Sequence, residues 1–291
     1  MPKLKDYHIL YINLDHRKDR RKNIESQLKK MHLMKRKKYI TKRISGVLGP
    51  EIYKNYKKLA KEFKVSPEEM DEDYWMSRKN FKTMSNNKNK VLGRVGCFLA
   101  HLRALRYAVK KKLKNVIILE DDCTFIRNEN FTFPKPPKNN DMFYIGGSYR
   151  QLSNKIDTIT IENDWLQINP KKIKVYTTFG YGFSNAQSIL NATKLTESVW
   201  LPGKGKENPK DWKSGKERIR AVVTDILYVN FIHRLGKAYI LFPPLCVQSE
   251  AFISDITDFG KMTQTSHAHK LSYFYSSKYE KKYSHLLQDK R

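Results

Sequence analysis

Apolar and polar positions come in blocks along this chain, and the blocks predict strands and helices in turn. Residues 7–14 are apolar at nearly every position, as expected of a central strand buried on both faces. Residues 15–21 lead into an amphipathic helix that carries Ile24, Leu28 and Met31. Residues 38–46 read as a second strand closing on Gly46, and Pro50 opens a helix through Phe63. Residues 65–90 are polar and poor in aliphatics, which predicts a flexible loop or lid. From 93 to 112, Leu99, Leu102, Leu105 and Val109 line one helix face. Strands follow at 116–119, 141–147 and 175–183, with a helix from Asn185. A polar loop at 202–216 precedes a helix over 222–235 and a last strand over 238–244. Strands alternating with helices predict an α/β fold with a mostly parallel central sheet flanked by helices. The expected organisation is one domain over residues 1–260, then a loosely ordered basic tail over 261–291.

The strongest chemical signal is the run Val116-Ile-Ile-Leu-Glu-Asp-Asp122. A β-branched strand ends there in Glu120, Asp121 and Asp122. In open α/β sheets, ligands gather at the carboxyl ends of strands. Three adjacent acids repel one another unless a cation sits among them. A hard divalent ion, held by one or two carboxylates and completed by phosphate oxygens, meets both conditions. The plain alternative is a solvated turn after an edge strand. A phosphatase with an aspartyl nucleophile is disfavoured, because the Asp-x-Asp-x-Thr frame here runs from Glu120 to Thr124.

Composition adds a strong charge: 57 Lys and Arg against 29 Asp and Glu give +28 over 291 residues. Such a field attracts anionic surfaces, nucleic acid or nucleotide diphosphates. The lysines are dispersed along presumed helix faces and no recognition motif accompanies them, so specific nucleic-acid binding is not expected. Cys97, Cys123 and Cys246 lie in apolar runs without CxxC spacing. They read as buried small hydrophobes in a reducing compartment, not as a zinc site or disulfide framework. No apolar stretch approaches the ~20 residues of a membrane span, and the first residues lack a signal-peptide core. A cytoplasmic protein, at most peripheral to a membrane, is expected. The Lys/Asn-rich composition fits an AT-rich bacterial or large viral genome.

Several segments, in this order, resemble glycosyltransferase family 25, which includes bacterial lipooligosaccharide β-galactosyltransferases and procollagen galactosyltransferases. They are 11–21 (YINLDHRKDRR), 44–46 (ISG), 96–102 (GCFLAHL), 117–122 (ILEDD with its leading Ile) and 141–146 (DMFYIG). The 180–183 segment (GYGF), Thr224-Asp225 and 244–248 (PLCVQ) complete the series. The resemblance implies a GT-A fold. It also implies inverting transfer of a hexose, galactose in the first instance, from a UDP-sugar with Mn2+ or Mg2+. The acceptor would be a glycan or a hydroxylysine-type peptide hydroxyl.

On that resemblance, Asp122 and Glu120 would hold the metal, with Glu120 alternatively on the ribose. Asp121 would be a weaker contributor, since successive strand side chains face opposite ways. Asn13, Leu14 and Asp15 end the first strand where base and ribose should lie. Arg17 and Arg20 would hold uracil, phosphate or the neighbouring loop. Arginines at a helix N-terminus oppose its dipole, so a carboxylate or phosphate nearby would relieve them. The amides from Gly93 onward would face the donor at a helix start. His101 would position the acids or nucleotide, or simply be a packed helix histidine. The family usually has Ser where Ala100 stands, so that hydroxyl is missing here. Gly180 and Gly182 either admit the sugar or relieve crowding. Gln248 would complete the donor site. Asp225 would be the general base, with helix capping as its plain alternative and Asp211 in reserve. His267 and His269 could add a metal ligand from the tail. Two rival readings remain: a transferase-like interaction module without activity, and a basic nucleic-acid-binding protein.

Overall fold

The structure is a computed structural model that describes residues 3–34, 36–52, 54–64, 88–151, 161–162, 164–169, 173–198, 224–242 and 244–249. The loop at 202–216, the tail, Asp211, His267, His269 and the predicted lid up to 87 lie outside the described residues.

In chain order the strands are β1 (His8–Asn13), β2 (Thr41–Ser45), β3 (Val116–Glu120), β4 (Cys123–Phe125) and β5 (Met142–Gln151). Then come β6 (Ile161–Glu162), β7 (Trp165–Gln167), β8 (Ile173–Phe183), β9 (Ala238–Leu241) and β10 (Cys246–Gln248). The helices are α1 (Lys18–Lys30), α2 (Tyr56–Phe63), α3 (Lys88–Lys110), α4 (Ala186–Ser198), α5 (Thr224–Asn230) and α6 (Ile232–Leu235).

Eight strands form the main sheet in the order β2-β1-β3-β8-β5-β9-β7-β6. Six share one direction, while β8 and β7 run antiparallel to their neighbours. The expected mostly parallel α/β sheet is therefore present, with β8 inserted against the grain between β3 and β5. A second, two-stranded sheet pairs β4 with β10.

The sheet has apolar cores on both faces, and strand alternation divides the side chains between them. Leu10, Ile12, Val116 and Ile118 pack with α3 residues such as Leu99 and Leu102. Ile9, Tyr11, Ile117 and Leu119 pack with Ile24 and Leu28 of α1. Two buried faces explain why β1 and β3 read as continuous apolar runs.

Three expectations need correction. The helix expected from Gly93 starts at Lys88, so the predicted loop ends earlier. The amides of 93–96 therefore lie beyond the four that a helix start leaves unpaired, and they are not the open donors expected. Gly96 serves packing instead: a Cβ there would sit 2.2 Å from the Val47 carbonyl oxygen. The helix expected over 222–235 is, in its described part, two pieces that break at Phe231. Gly180 and Gly182 relieve crowding, since a Cβ would meet Cys246 Sγ at 2.7 Å and Phe143 Cζ at 2.5 Å respectively.

One irregularity bears on the site. Between the pairs Gly146–Gly180 and Ser148–Tyr176, β8 advances four residues while β5 advances two. The excess bulges at 177–179, where Thr177 has a φ of 75°. A β-branched residue in the left-handed region is costly, and such strain persists only where the surroundings fix it.

Candidate functional site

The alternation of β3 separates its acids. Glu120 continues the phase of Ile118 toward α3, whereas Asp121 continues that of Leu119 toward α1. Glu120 Oε1 accepts a hydrogen bond from Thr178 Oγ1 at 2.7 Å and lies 3.2 Å from His101 Nε2. Fully buried His101 places its Nδ1 2.8 Å from the Tyr181 hydroxyl. Burial pushes the Glu120 carboxyl up, but the bond and charge of His101 and the Thr178 hydroxyl hold it below its ordinary value. The bulge in β8 is what turns Thr178 onto Glu120.

On the opposite side, Asp121 Oδ2 accepts from Asn13 Nδ2 at 2.7 Å, and Oδ1 accepts from Arg20 Nη1 at 3.1 Å. Burial raises the Asp121 pKa in spite of both partners. Arg20 belongs to the inward stripe of α1, four and eight residues before Ile24 and Leu28. Arg21 points to solvent and pairs with Glu25 instead. The conflict of arginines with the α1 dipole is thus met by carboxylates: Asp121 for Arg20, and Asp19 for Arg17.

Asp122 leaves the strand and enters the turn toward the small β4–β10 sheet. Gln248 pairs with Cys123 across that sheet, which brings its Nε2 within 2.9 Å of Asp122 Oδ2. Gln27 of α1 holds the same ribbon, donating to the Cys123 carbonyl and accepting from the Phe125 amide. Arg20 Nη1 is 3.9 Å from Asp122 Oδ2. Asp122 Oδ1 is buried and has no hydrogen-bond partner among the described residues. Burial, then the charges of Glu120 and Asp121, push the Asp122 pKa up to about 7. An orphaned oxygen on a buried acid among acids fits a cation as its missing partner.

These groups open on one cleft of about 120 Å³ at the carboxyl ends of β1 and β3. Asn13, Leu14, Arg20, His101, Glu120, Asp121, Asp122 and Gln248 all line it, so most of the predicted site residues are brought together. The opposite wall is the 46–49 segment packed on Gly93, Gly96 and Cys97 of α3. The volume is below the ~300–1,000 Å³ of whole small-molecule sites; it suits a cation and phosphate group.

Three predicted residues stand apart from the cleft lining. Asp15 is exposed and accepts from Arg43 and from Ser45 Oγ, the latter at 2.9 Å. Its Arg43 hydrogen bond holds the carboxyl below its ordinary value despite some desolvation. Arg17 is held by Asp19 through Nε at 3.0 Å and Nη2 at 2.9 Å. Asp225, in the first turn of α5, accepts from the Thr177 amide at 3.2 Å and the Ile226 amide at 2.7 Å. Burial raises its pKa, and the two amides act against that rise.

Sequence reasoning missed Cys97, Thr178, Tyr181 and Arg43. Cys97 had a signal: it lies one helical turn before His101 and so shares its face. Arg43 Nε donates to Asn13 Oδ1 at 2.9 Å, a contact that depends on the parallel pairing of β1 and β2.

The Arg20 bridge has a measurable consequence. Removing one partner of a buried ion pair typically costs about 3–5 kcal/mol. Arg20→Gln is expected to lower the unfolding free energy by about 3 kcal/mol at pH 7 in urea titration. The deficit should shrink as pH falls from about 7 toward 4, because burial raises the folded-state pKa of Asp122 to about 7 and that of Asp121 above 3.8, and neutral acids no longer need the guanidinium.

A buried acid cluster at the carboxyl edge of a mostly parallel α/β sheet flanked by helices is consistent with a nucleotide-sugar-binding glycosyltransferase fold. The family model for glycosyltransferase family 25, described as an LPS biosynthesis protein, matches residues 6–186. The chain belongs to that family. No curated protein matches it. The matched span includes the three acids, Asn13, Arg20 and His101, and ends before Asp225 and Gln248. Among the described residues no helix is long and apolar enough to cross a membrane.

Proposed function

We propose that this chain is an inverting, divalent-metal-dependent hexosyltransferase that moves galactose from UDP-galactose to a hydroxyl of a glycan acceptor. The observation that carries this reading is the acid cluster of a family 25 chain, with the unpartnered Oδ1 of Asp122 in the cleft. A divalent ion bound there supplies Lewis-acid neutralisation of the departing diphosphate. Asp122 and Glu120 would hold it. Gln248 steadies Asp122, while His101 and Thr178 steady Glu120. Arg20 and Asn13 fix Asp121, which ties α1 to the end of β3. Asn13 and Leu14 offer a polar and an apolar surface to ribose and base, with Asp15 and Arg17 at the rim. Asp225 is the general base that takes the acceptor proton; burial that raises its pKa makes it a better base near neutrality.

A glycan acceptor agrees with the family's description as an LPS biosynthesis protein. The net charge of +28 suits an anionic glycan, or an anionic surface that presents one. Retention of all three acids, each held by a dedicated partner, favours an enzyme over an inactive interaction module. We take residues 1–260 as one transferase domain, since β1, β3, β8 and β9 interleave in a single sheet.

The test is a donor screen on the purified chain. UDP-galactose, UDP-glucose and UDP-N-acetylglucosamine are supplied with and without Mn2+, and both binding and UDP release are followed. Manganese-dependent binding and release from UDP-galactose is the expected outcome. Preference for another donor corrects the sugar. Absence of binding to every donor, with metal present, overturns the transferase reading.

A further inference from the structure

We propose that Cys97, His101 and Glu120 form a second cation site, one selective for a thiophilic divalent ion of the zinc class. Cys97 Sγ, a ring nitrogen of His101 and a Glu120 carboxylate oxygen all lie within 4.8 Å of one another. Metal–ligand lengths of about 2.0–2.3 Å place the ligand atoms of a tetrahedral site roughly 3.3–3.7 Å apart. His101 Nε2 and Glu120 Oε1, 3.2 Å apart, are already near that spacing. The i, i+4 spacing of Cys97 and His101 on α3 sets two ligands one above the other on a single helix face. Glu120 meets them from the end of β3.

Two features beyond the triangle belong to a built metal site. Ligating histidines are oriented by a partner on their other nitrogen, and ligating carboxylates are themselves hydrogen-bonded. The Tyr181 hydroxyl, 2.8 Å from His101 Nδ1, can accept an Nδ1 proton, so that an ion can replace the proton that Nε2 shares with Glu120 in the metal-free protein. Thr178 Oγ1 donates to Glu120 Oε1 at 2.7 Å. Entry is available as well, because half-buried Cys97 lines the cleft with both other ligands. Binding releases the Cys97 thiol proton to solvent, leaving three protein ligands and a fourth position open to the cleft.

The chemistry separates this site from the one around Asp122. Carboxylate and phosphate oxygens suit manganese or magnesium, whereas a thiolate and an imidazole select zinc or cobalt. The two sites share Glu120, so a zinc-class ion there withdraws that carboxylate from the diphosphate side. This consequence for transfer rests on the function proposed above; the binding itself does not.

Cobalt is the probe. The reduced, metal-free full chain is titrated with Co2+ in the absence of any sugar donor, and near-ultraviolet absorption is followed for a thiolate-to-cobalt charge-transfer band. Expected are a saturable band at one equivalent, its displacement by Zn2+, and its loss in Cys97→Ser. Asp122→Asn should keep the band, and His101→Ala should weaken cobalt binding at least tenfold. Circular dichroism establishes that each variant is folded. Absence of the band, or a band unchanged in Cys97→Ser, overturns the proposal. Since no donor enters the assay, failure of the transferase reading would leave this result untouched.

Discussion

Asp122→Asn is expected to lower hexose transfer by about 10²–10³-fold, the usual cost of deleting one preorganised electrostatic group, and at the same time to stabilise the metal-free protein. Both effects have one cause. The Asp122 carboxyl is buried beside Glu120 and Asp121, and its pKa rises from 3.8 to about 7. A folded-state pKa above the unfolded value means stability that is complete at low pH and lost as pH rises through the folded value. Here the loss runs between pH 3.8 and about 7. A neutral amide escapes it. Above pH 7 the metal-free variant should therefore unfold at higher free energy than the wild type, by on the order of 2 kcal/mol. Below about pH 4 the two should converge, since the wild-type acid is then neutral as well. Manganese should raise the melting temperature of the wild type and have little effect on the variant, because only a ligand that binds the native state stabilises it. Thermal melts across pH, with and without Mn2+, read all three expectations. A variant that is less stable at pH 8, or that transfers within tenfold of wild type, removes Asp122 from the role assigned to it.

The same acids show why the site was largely legible in the sequence and where legibility stopped. Strand alternation is local and periodic, so the opposite facing of Glu120 and Asp121 followed from β3 alone. The partners each acid meets are set by tertiary packing. Arg20 looked like helix surface beside Arg21, yet its spacing from Ile24 and Leu28 puts it on the buried stripe and Arg21 outside it. The start of α3 was misjudged because Gly93 and Gly96 resemble a helix boundary. Both are instead interior to the helix; Gly96 leaves room for the Val47 carbonyl, and Gly49 lets its own segment approach the helix backbone at Leu92 and Gly93. Strands as short as β4, β7 and β10 carry too few residues to show a period. The placing of Gln248 against Asp122 depends on the pairing of β4 with β10, and Thr178 reaches Glu120 through a two-residue bulge that no local pattern encodes. Asp15 and Arg17 matched the family run but lie outside the cleft lining, each held by its own partner.

Asp225→Asn should abolish transfer while leaving UDP affinity unchanged, a split that only a role in chemistry produces. The substitution keeps shape and capping ability, since Asn serves at helix starts as well as Asp. The Thr177 and Ile226 amides donate to different carboxylate oxygens, so Asn keeps an acceptor for only one of them; the fold is expected to persist at a cost of about 1 kcal/mol. What disappears is the proton acceptor. Loss of a positioned general base typically costs about 10²–10⁴-fold, and the fall should appear in kcat with little change in the donor KM. The contact with Thr177 gives the assignment physical weight, because its amide reaches Asp225 from a backbone with φ of 75°, a conformation costly for a β-branched residue. The pH profile supplies the second readout. Burial raises the Asp225 pKa above 3.8, so the acid limb of kcat/KM should lie above the ordinary aspartate range. That limb should vanish from the residual activity of Asp225→Asn. A variant with kcat near wild type, or one whose UDP affinity falls in step with its activity, would return Asp225 to the structural role of holding the start of α5 against the β8 bulge.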